Sequence, residues 1–433
     1  MKKKNSKFKD LENIRQYILK NSKYLNQKYM DFAGQHIEDF YYQVPCITKS
    51  EIADNLKLYL DKNFLCLFND DIVDFMFKVE DLSENHDKRI KDKFGCIWTI
   101  ETTSGSTGKP LPIIKSQTER LKESRYLLNC RKQHYKDATL NNGVLLIHKV
   151  DDYLKAIDYR EDSEQFKKVI NFMVENNPKW IFSSTRILNR FIDYVVKNNF
   201  QNSFSESDLK FIETTSQKML EDEMTLAHSV FNCEIFSNYG CREVWNIAYE
   251  CSQHHLHIND ELLIVDVVDD KGDIIQEDGI VGDIVITSLI HKTMPLLKYY
   301  IGDRGRIYRN TGVCENDKPI LVLEEGREQE KIKGTDYYGT TIFRKVLRTL
   351  YFHYKIADII NIRIIQKDNV LFIYLNKQTE QDVVFEELFK KIFYEQINFQ
   401  KNFEFAFKYY FPFNDDNLLY KEKIFSSEEV QIL

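Results

Sequence analysis

Glycine and proline are scarce in this chain. Its 433 residues include 15 Gly and 7 Pro, where shares of roughly 7% and 5% are usual, and the shortfall excludes collagen-like, Gly/Ser-linker and Pro-rich architectures. Neither sign of charge dominates. The 60 Lys and Arg stand against 67 Asp and Glu, a net charge of −7, so nothing calls for nucleic acid or an anionic membrane as partner. Long apolar runs are missing too: even Phe64 to Phe77 is interrupted by Asn69-Asp70-Asp71 and Asp74, short of the roughly 18 apolar residues that a membrane helix needs. Met1-Lys2-Lys3-Lys4 leads into Asn5-Ser6-Lys7-Phe8-Lys9-Asp10, which lacks the apolar core of a signal peptide. The eight cysteines are spread along the chain rather than packed into a disulfide framework. A soluble, cytoplasmic protein with reduced thiols is expected.

What is present is apolar bulk. Hydrophobic residues make up 43% of the chain, with 30 Phe and 25 Tyr, enough to offset chain entropy with a large core. The length suits two or three domains, or one large α/β unit with an appendage. The glycines cluster: ten of the fifteen lie between Gly240 and Gly339, and none in 144–239 or 340–433. Where Gly is rare, each one marks a turn or a close approach of backbone to a ligand.

Residues 10–95 read as mostly helical, with Leu11, Ile14, Tyr17 and Ile18 at helical spacing and a cap within Val44-Pro45-Cys46-Ile47-Thr48-Lys49-Ser50-Glu51 ahead of a new helix. Strands and helices then alternate through strands at 97–103, 143–147, 180–183, 209–214 and 233–236, an order that argues for a parallel sheet covered by helices. From 256 to 310, short strands between Gly turns read as an antiparallel sheet or barrel. After Gly326-Arg327 an α-β-β-α-β order suits a small α+β lid. The fold expected is α/β: residues 1–327 form a large N-terminal domain with helix-covered, mostly parallel sheets plus a smaller antiparallel sheet or barrel, and 328–433 a small mobile α+β C-terminal domain.

The sharpest local signal is Thr102-Thr103-Ser104-Gly105-Ser106-Thr107-Gly108-Lys109-Pro110. Hydroxyls, two glycines and a lysine after a strand make a loop whose N–H groups can wrap a polyphosphate. It is not a Walker A loop, because only two residues separate Gly105 from Gly108. The loop resembles the phosphate loop of the acyl-adenylate-forming ligases, the superfamily of acyl-CoA synthetases, adenylation domains and luciferases. Three further segments match in order: Asn238-Tyr239-Gly240-Cys241-Arg242-Glu243 resembles its Tyr-Gly-x-x-Glu motif, Tyr300-Ile301-Gly302-Asp303 its Tyr-x-x-Gly-Asp motif, and Gly326-Arg327-Glu328-Gln329-Glu330 its Gly-Arg hinge. The 44–49 segment and the compact length point to the phenylacetate-coenzyme A ligase branch.

The resemblance implies an ATP- and carboxylate-binding domain over 1–327 and a lid over 328–433. Thr103, Ser104, Gly105, Ser106, Thr107, Gly108 and Lys109 would hold the β- and γ-phosphates. Tyr239 with Asn238 and Gly240 would line the adenine, as would the strand-end residues Thr214 and Ser216. Asp303 would accept the ribose hydroxyls, Arg327 would contact ribose or phosphate, Glu243 would bind Mg²⁺, and Glu330 would be the hinge. A carboxylate suits both acceptor and Mg²⁺-ligand roles. The family's catalytic C-terminal lysine falls in Asn417-Leu418-Leu419-Tyr420-Lys421-Glu422-Lys423, where Lys421 fits best and Lys423 competes; neither has the adjacent Gly that the family motif carries. Tyr126, Ser183 and Asn238 lie near segments that could line an acyl pocket.

Cys251-x-x-His254-His255-x-His257 and Cys314 have zinc-ligand composition. Some members of the branch carry a structural zinc, and Cys251, His257 and Cys314 stand where its ligands would, with Asn316 in place of a fourth, leaving His254, His255 or water for that position. A buried Cys with exposed histidines is the alternative. The function expected is ATP- and Mg²⁺-dependent activation of a carboxylic acid as acyl-AMP, with transfer to coenzyme A or a carrier-protein phosphopantetheine. The rival readings are a non-catalytic nucleotide-binding or scaffold protein on the same fold and, more distantly, a metal hydrolase using the Cys/His cluster, which lacks an acid/base carboxylate at motif spacing.

Overall fold

A computed structural model describes residues 2–68, 87–103, 111–146, 163–204, 207–309, 312–314, 316–324, 331–354, 356, 362–375, 383–397, 402–409 and 425–426. Two compact units divide the chain, 1–323 and 324–433.

The first unit opens with helices at Lys2–Asn21, Lys23–Tyr29, Ile37–Gln43, Lys49–Asp54, Leu56–Tyr59 and Lys62–Leu65. Leu11, Ile14 and Ile18, spaced three and four apart, are buried, as one face of an amphipathic helix requires. The cap expected within 44–51 is Thr48, whose side chain accepts from Glu51 N while the Glu51 side chain accepts from Thr48 N, a reciprocal capping box. The helical reading of 10–95 fails at its end, where Asp87–Lys91 forms β1. This charged segment is the edge of a three-stranded antiparallel sheet with β2 (Ile97–Thr102) and β3 (Pro112–Ser116). Charge at an edge blunts further pairing, and it hides the alternation by which a strand is read.

Ten strands form one sheet: β4 (Gly143–Leu146), β5 (Trp180–Ser184), β6 (Phe211–Thr215), β7 (Glu234–Tyr239), β8 (Ala248–Glu250), β9 (Leu256–Ile258), β10 (Leu263–Val268), β11 (Gly282–Ser288), β12 (Tyr299–Tyr308) and β13 (Ile320–Leu323). Their order is β10-β11-β12-β13-β9-β8-β7-β6-β5-β4. The pairs among β4 to β7 are parallel, and helices Ser163–Asn176, Thr185–Lys197 and Glu221–Phe231 pack on them through a core that includes Ile170, Leu188, Phe191 and Phe231. Strands β8 to β13 are antiparallel. The expected parallel and antiparallel parts are both present, but they are one continuous sheet rather than two, and the strand at 97–102, expected in the parallel part, lies in the separate antiparallel sheet because its neighbours in sequence, β1 and β3, pair with it directly. The chain returns from β7 through a short loop as β8, pairing Asn238 with Tyr249 and Tyr239 with Ala248, so the outer edge of β7 seeds the antiparallel half.

In the second unit, helices Gly339–Tyr354 and Val383–Gln396 accompany β14 (Ile362–Lys367), β15 (Val370–Leu375), β16 (Glu404–Lys408) and β17 (Phe425–Ser426), ordered β16-β15-β14-β17. Asp368, at φ 51°, takes the left-handed turn of the β14–β15 hairpin. The core is aromatic, with Phe343 beside Phe389, Phe393 and Phe425. Strand β17 is not legible in sequence because it is two residues long. Among the described residues no helix is long and apolar enough to cross a membrane.

Candidate functional site

The Tyr239–Glu243 segment is the loop between β7 and β8. It folds back tightly: Ile247 N donates to Tyr239 O over 2.7 Å, and a Cβ on Gly240 would lie 2.0 Å from the Trp245 carbonyl oxygen, so glycine is required by space. Trp245, at φ 26°, donates its indole N–H to both Glu101 oxygens at 3.0 and 3.2 Å and lies 4.8 Å below Lys115 Nζ and 5.0 Å from the Arg120 guanidinium.

Asp303 comes from β12, where the register slips. Val285 pairs with Tyr300 and Asp283 with Arg304, so Ile301-Gly302-Asp303 stand opposite Ile284 alone, a bulge with Gly302 at φ 83°. The bulge turns Asp303 toward the loop. Tyr239 OH donates to Asp303 Oδ2 over 2.9 Å, and Tyr299 OH donates to Glu243 Oε1 over 2.7 Å. The first bond ties the two motifs together, and the second ties Glu243 to the residue just before the Tyr-x-x-Gly-Asp motif. Glu243 is 7% exposed, and burial pushes the Tyr299 phenol well up, which keeps it a donor.

Beneath the loop lies a charged network. Arg131, on helix Gln117–His134, grips Glu213 of β6 through Nε (2.6 Å) and Nη2 (3.2 Å), and its guanidinium lies 4.4 Å from the Trp180 ring. Glu213 also accepts from Asn238 Nδ2 (2.8 Å) and Tyr249 OH (3.0 Å), and Asn246 Nδ2 donates to Asn238 Oδ1 (2.8 Å). The Glu213 charge raises Arg131 despite the opposing effect of burial. Asn238, buried, is thus committed to Glu213 and Asn246. Ser183 Oγ donates to carbonyl oxygens of Leu146 and Ser184, each at 3.1 Å, and Tyr126 OH accepts from Lys318 Nζ (3.2 Å); each of these polar tips has a partner within the fold. Thr214 is buried, its Oγ1 3.4 Å from Phe236 O, and Ser216 follows β6 at φ 79°.

Thr103 closes the base of the phosphate-loop candidate. Its N donates to Leu111 O (3.0 Å) and its Oγ1 accepts from Leu111 N (2.9 Å), so Thr103 and Leu111 are held side by side. Ser104, Gly105, Ser106, Thr107, Gly108 and Lys109 lie outside the described residues, as do Arg327, Glu330, Lys421 and Lys423.

No protein-family model matches the chain. Protein CapK of Staphylococcus aureus is 23% identical over 353 residues, 76% of this chain and 74% of that one. Among solved structures, 2-hydroxyisobutyryl-CoA ligase in the postadenylation state with R3-HIB-AMP superposes with a TM-score of 0.67 at 11% identity, over 97% of this chain and 88% of that chain. The same ligase with 2-HIB-AMP and CoA in the thioesterification state gives 0.59 at 12% identity, over 95% and 87%. The chain has the adenylate-forming ligase fold. Within that fold, Tyr239 of the Tyr-Gly-x-x-Glu segment and Asp303 of the Tyr-x-x-Gly-Asp segment are brought together.

The ligase fold also gathers Cys251, His257 and Cys314, whose ligand atoms all lie within 4.8 Å of one another. The two sulfurs are 3.9 Å apart. His257 Nδ1 bonds to Lys318 O (3.0 Å), which fixes the proton there and leaves Nε2, buried and without a protein partner, as a lone pair, the arrangement a zinc-binding imidazole takes. His255 Nδ1 is 2.9 Å from Cys314 Sγ, whereas His254 turns to Glu250 and stacks near Phe236. Sequence reading missed Tyr299, Trp245, Lys115, Glu213 and Arg131. The first adjoins a motif and could have been included; the others carry no local pattern, because their partners are distant in sequence.

Proposed function

We propose that this chain is an ATP- and Mg²⁺-dependent acid–thiol ligase of the phenylacetate-coenzyme A ligase-like branch. It joins a carboxylic acid to AMP with release of pyrophosphate, then passes the acyl group to a thiol, either coenzyme A or a carrier-protein phosphopantetheine. The observation that carries the reading is the pair of bonds Tyr239–Asp303 and Tyr299–Glu243, which unite two ordered motifs on a matching fold. Such catalysis is mostly positioning and charge stabilisation. Asp303 accepts the ribose hydroxyls, Tyr239 stacks on adenine while its hydroxyl holds Asp303, and Thr214, Ser216, Asn238 and Gly240 frame the base. Thr103 anchors the phosphate loop formed by residues 104–109. Glu243 offers the hard oxygen donor that Mg²⁺ requires, and a bound metal would supply charge neutralisation. Lys421, or Lys423, bridges substrate carboxylate and α-phosphate; Arg327 contacts the nucleotide and Glu330 is the hinge between half-reactions.

Cys251, His257 and Cys314 would hold a structural Zn²⁺, with His255 the fourth ligand in place of Asn316; two thiolates and imidazole suit it. Pyrophosphate exchange screened over aryl, fatty and amino acids tests the proposal, together with mass spectrometry of purified protein for a retained acyl-adenylate. Exchange with none of them, in protein that binds ATP, would favour a nucleotide-binding scaffold instead.

A further inference from the structure

Asn246 ends the Glu243 loop. Its Nδ2 donates to Asn238 Oδ1 and to Ala248 O, but its Oδ1 is buried with no partner in the protein. That residue lines a cavity of about 10 Å³ whose wall also includes Glu123 and His291. His291 is 3% exposed, and its protonation pattern can be read from Ser288. The Ser288 Oγ accepts from Ile290 N (3.3 Å) and His291 N (3.1 Å), so its own proton is directed to His291 Nδ1 at 2.8 Å. The imidazole proton then stands on Nε2. This Nε2 is buried and makes no hydrogen bond, although it lies 3.3 Å from Glu123 Oε1.

Glu123 is ionised. Burial pushes its carboxyl up, but its surroundings, the Lys115 ammonium foremost with Nζ 3.1 Å from each oxygen, hold it below its ordinary range. The residues that carry this one donor and two acceptors line a space the size of a single water molecule, which typically makes about three hydrogen bonds in such sites. A cation fits poorly, since the Nε2–H and the nearby Lys115 ammonium would both repel it.

We propose that this cavity binds one water molecule, which accepts from His291 Nε2–H and donates to Asn246 Oδ1 and Glu123 Oε1. Through it, Asn246, His291 and Glu123 act as positioning residues for the loop that carries Glu243. The water bridges two buried charged clusters, Arg131–Glu213–Asn238–Asn246 on one side and Lys115–Glu123–His291 on the other, and so fixes the far end of a loop whose near end Asn238 already holds. The water site stands on geometry alone; the positioning role rests on the proposed function.

The test has two arms. A crystal structure of the full wild-type chain at a resolution that shows ordered waters should contain one peak within hydrogen-bond distance of all three atoms. A dry cavity, or one closed by His291 turning onto Glu123, or a peak coordinated as a cation, overturns the site, and none of these readings depends on activity. In the second arm, His291→Leu and His291→Gln are compared in pyrophosphate exchange as Mg²⁺ is varied, with melting temperature measured alongside. His291→Leu should raise the Mg²⁺ concentration for half-maximal rate by up to about tenfold, the low end of what losing a residue bonded directly to a metal ligand costs, because His291 reaches Glu243 only through the loop, with little change in the rate at saturating Mg²⁺, and His291→Gln, which keeps a donor, should restore much of it. Wild-type Mg²⁺ dependence in a folded His291→Leu protein overturns the positioning role; absence of exchange in the wild type overturns the ligase reading and leaves the water to the crystallographic arm.

Discussion

The Tyr239 hydroxyl donates to Asp303 Oδ2 over 2.9 Å, across a separation of 64 residues. The bond pre-orients a carboxylate beside a ring, and both are offered to the same small region of the β7–β8 loop. Asp303→Ala should abolish pyrophosphate exchange while circular dichroism and melting temperature stay near wild type. Tyr239→Phe keeps the ring and removes one hydrogen bond to a charged group, so its kcat/KM should fall about ten- to a hundredfold, the equivalent of roughly 1.5–3 kcal/mol. Near wild-type exchange in Asp303→Ala would remove the ribose role.

Lys421 and Lys423 are separable by half-reaction. Lys421→Ala should slow acyl-adenylate formation by about a hundredfold, in line with losing one group that stabilises developing charge, and leave thioester formation from synthetic acyl-adenylate largely intact. Lys423→Ala should change neither. The reverse pattern reassigns the role to Lys423, and two silent variants end it for both.

Zinc content decides the role of the 251–257 turn. Purified protein should carry about one equivalent of zinc by elemental analysis, and Cys251→Ser or His257→Ala should lose it along with several degrees of melting temperature, because metal binding adds directly to folding free energy. Less than about a tenth of an equivalent in wild type excludes a saturated site.

The Arg131–Glu213 pair is buried, with Glu213 fully inaccessible to solvent. Arg131→Met strands the Glu213 charge and should lower unfolding free energy by about 3–5 kcal/mol in urea titrations, whereas the double variant Arg131→Met with Glu213→Gln should recover much of the loss. An additive double variant would mean that the two charges do not depend on each other.

His134 stacks on Phe236, ring centroids 3.5 Å apart, and its Nε2 is 2.9 Å from Glu250 O. Burial, more than any neighbouring charge, holds its imidazole below the ordinary value of 6.5. The unfolded chain therefore binds the proton first as pH falls. The contribution to stability is complete above 6.5 and declines as pH drops below it toward the folded value. Urea midpoints measured between neutral pH and about pH 5 should fall less steeply for His134→Gln than for wild type; parallel slopes would locate the proton uptake elsewhere.

The repeated strand-then-helix order, the Thr48 cap and the change from parallel to antiparallel strands were all legible in the sequence, because each depends on residues near one another in the chain. Two of the motifs were legible for the same reason: a loop that admits only Gly240 and a bulge opened by Gly302 are local backbone requirements. The scarcity of glycine made these positions stand out. What only the tertiary structure decided is which local features meet. The joining of both sheet halves through β7 and β8, the bonds Tyr239–Asp303 and Tyr299–Glu243, and the Arg131–Glu213 grip all link residues remote in sequence. Hydrogen bonds and ion pairs act over a few ångströms in space and carry no signature in spacing, so composition and periodicity determined the elements while packing determined the site.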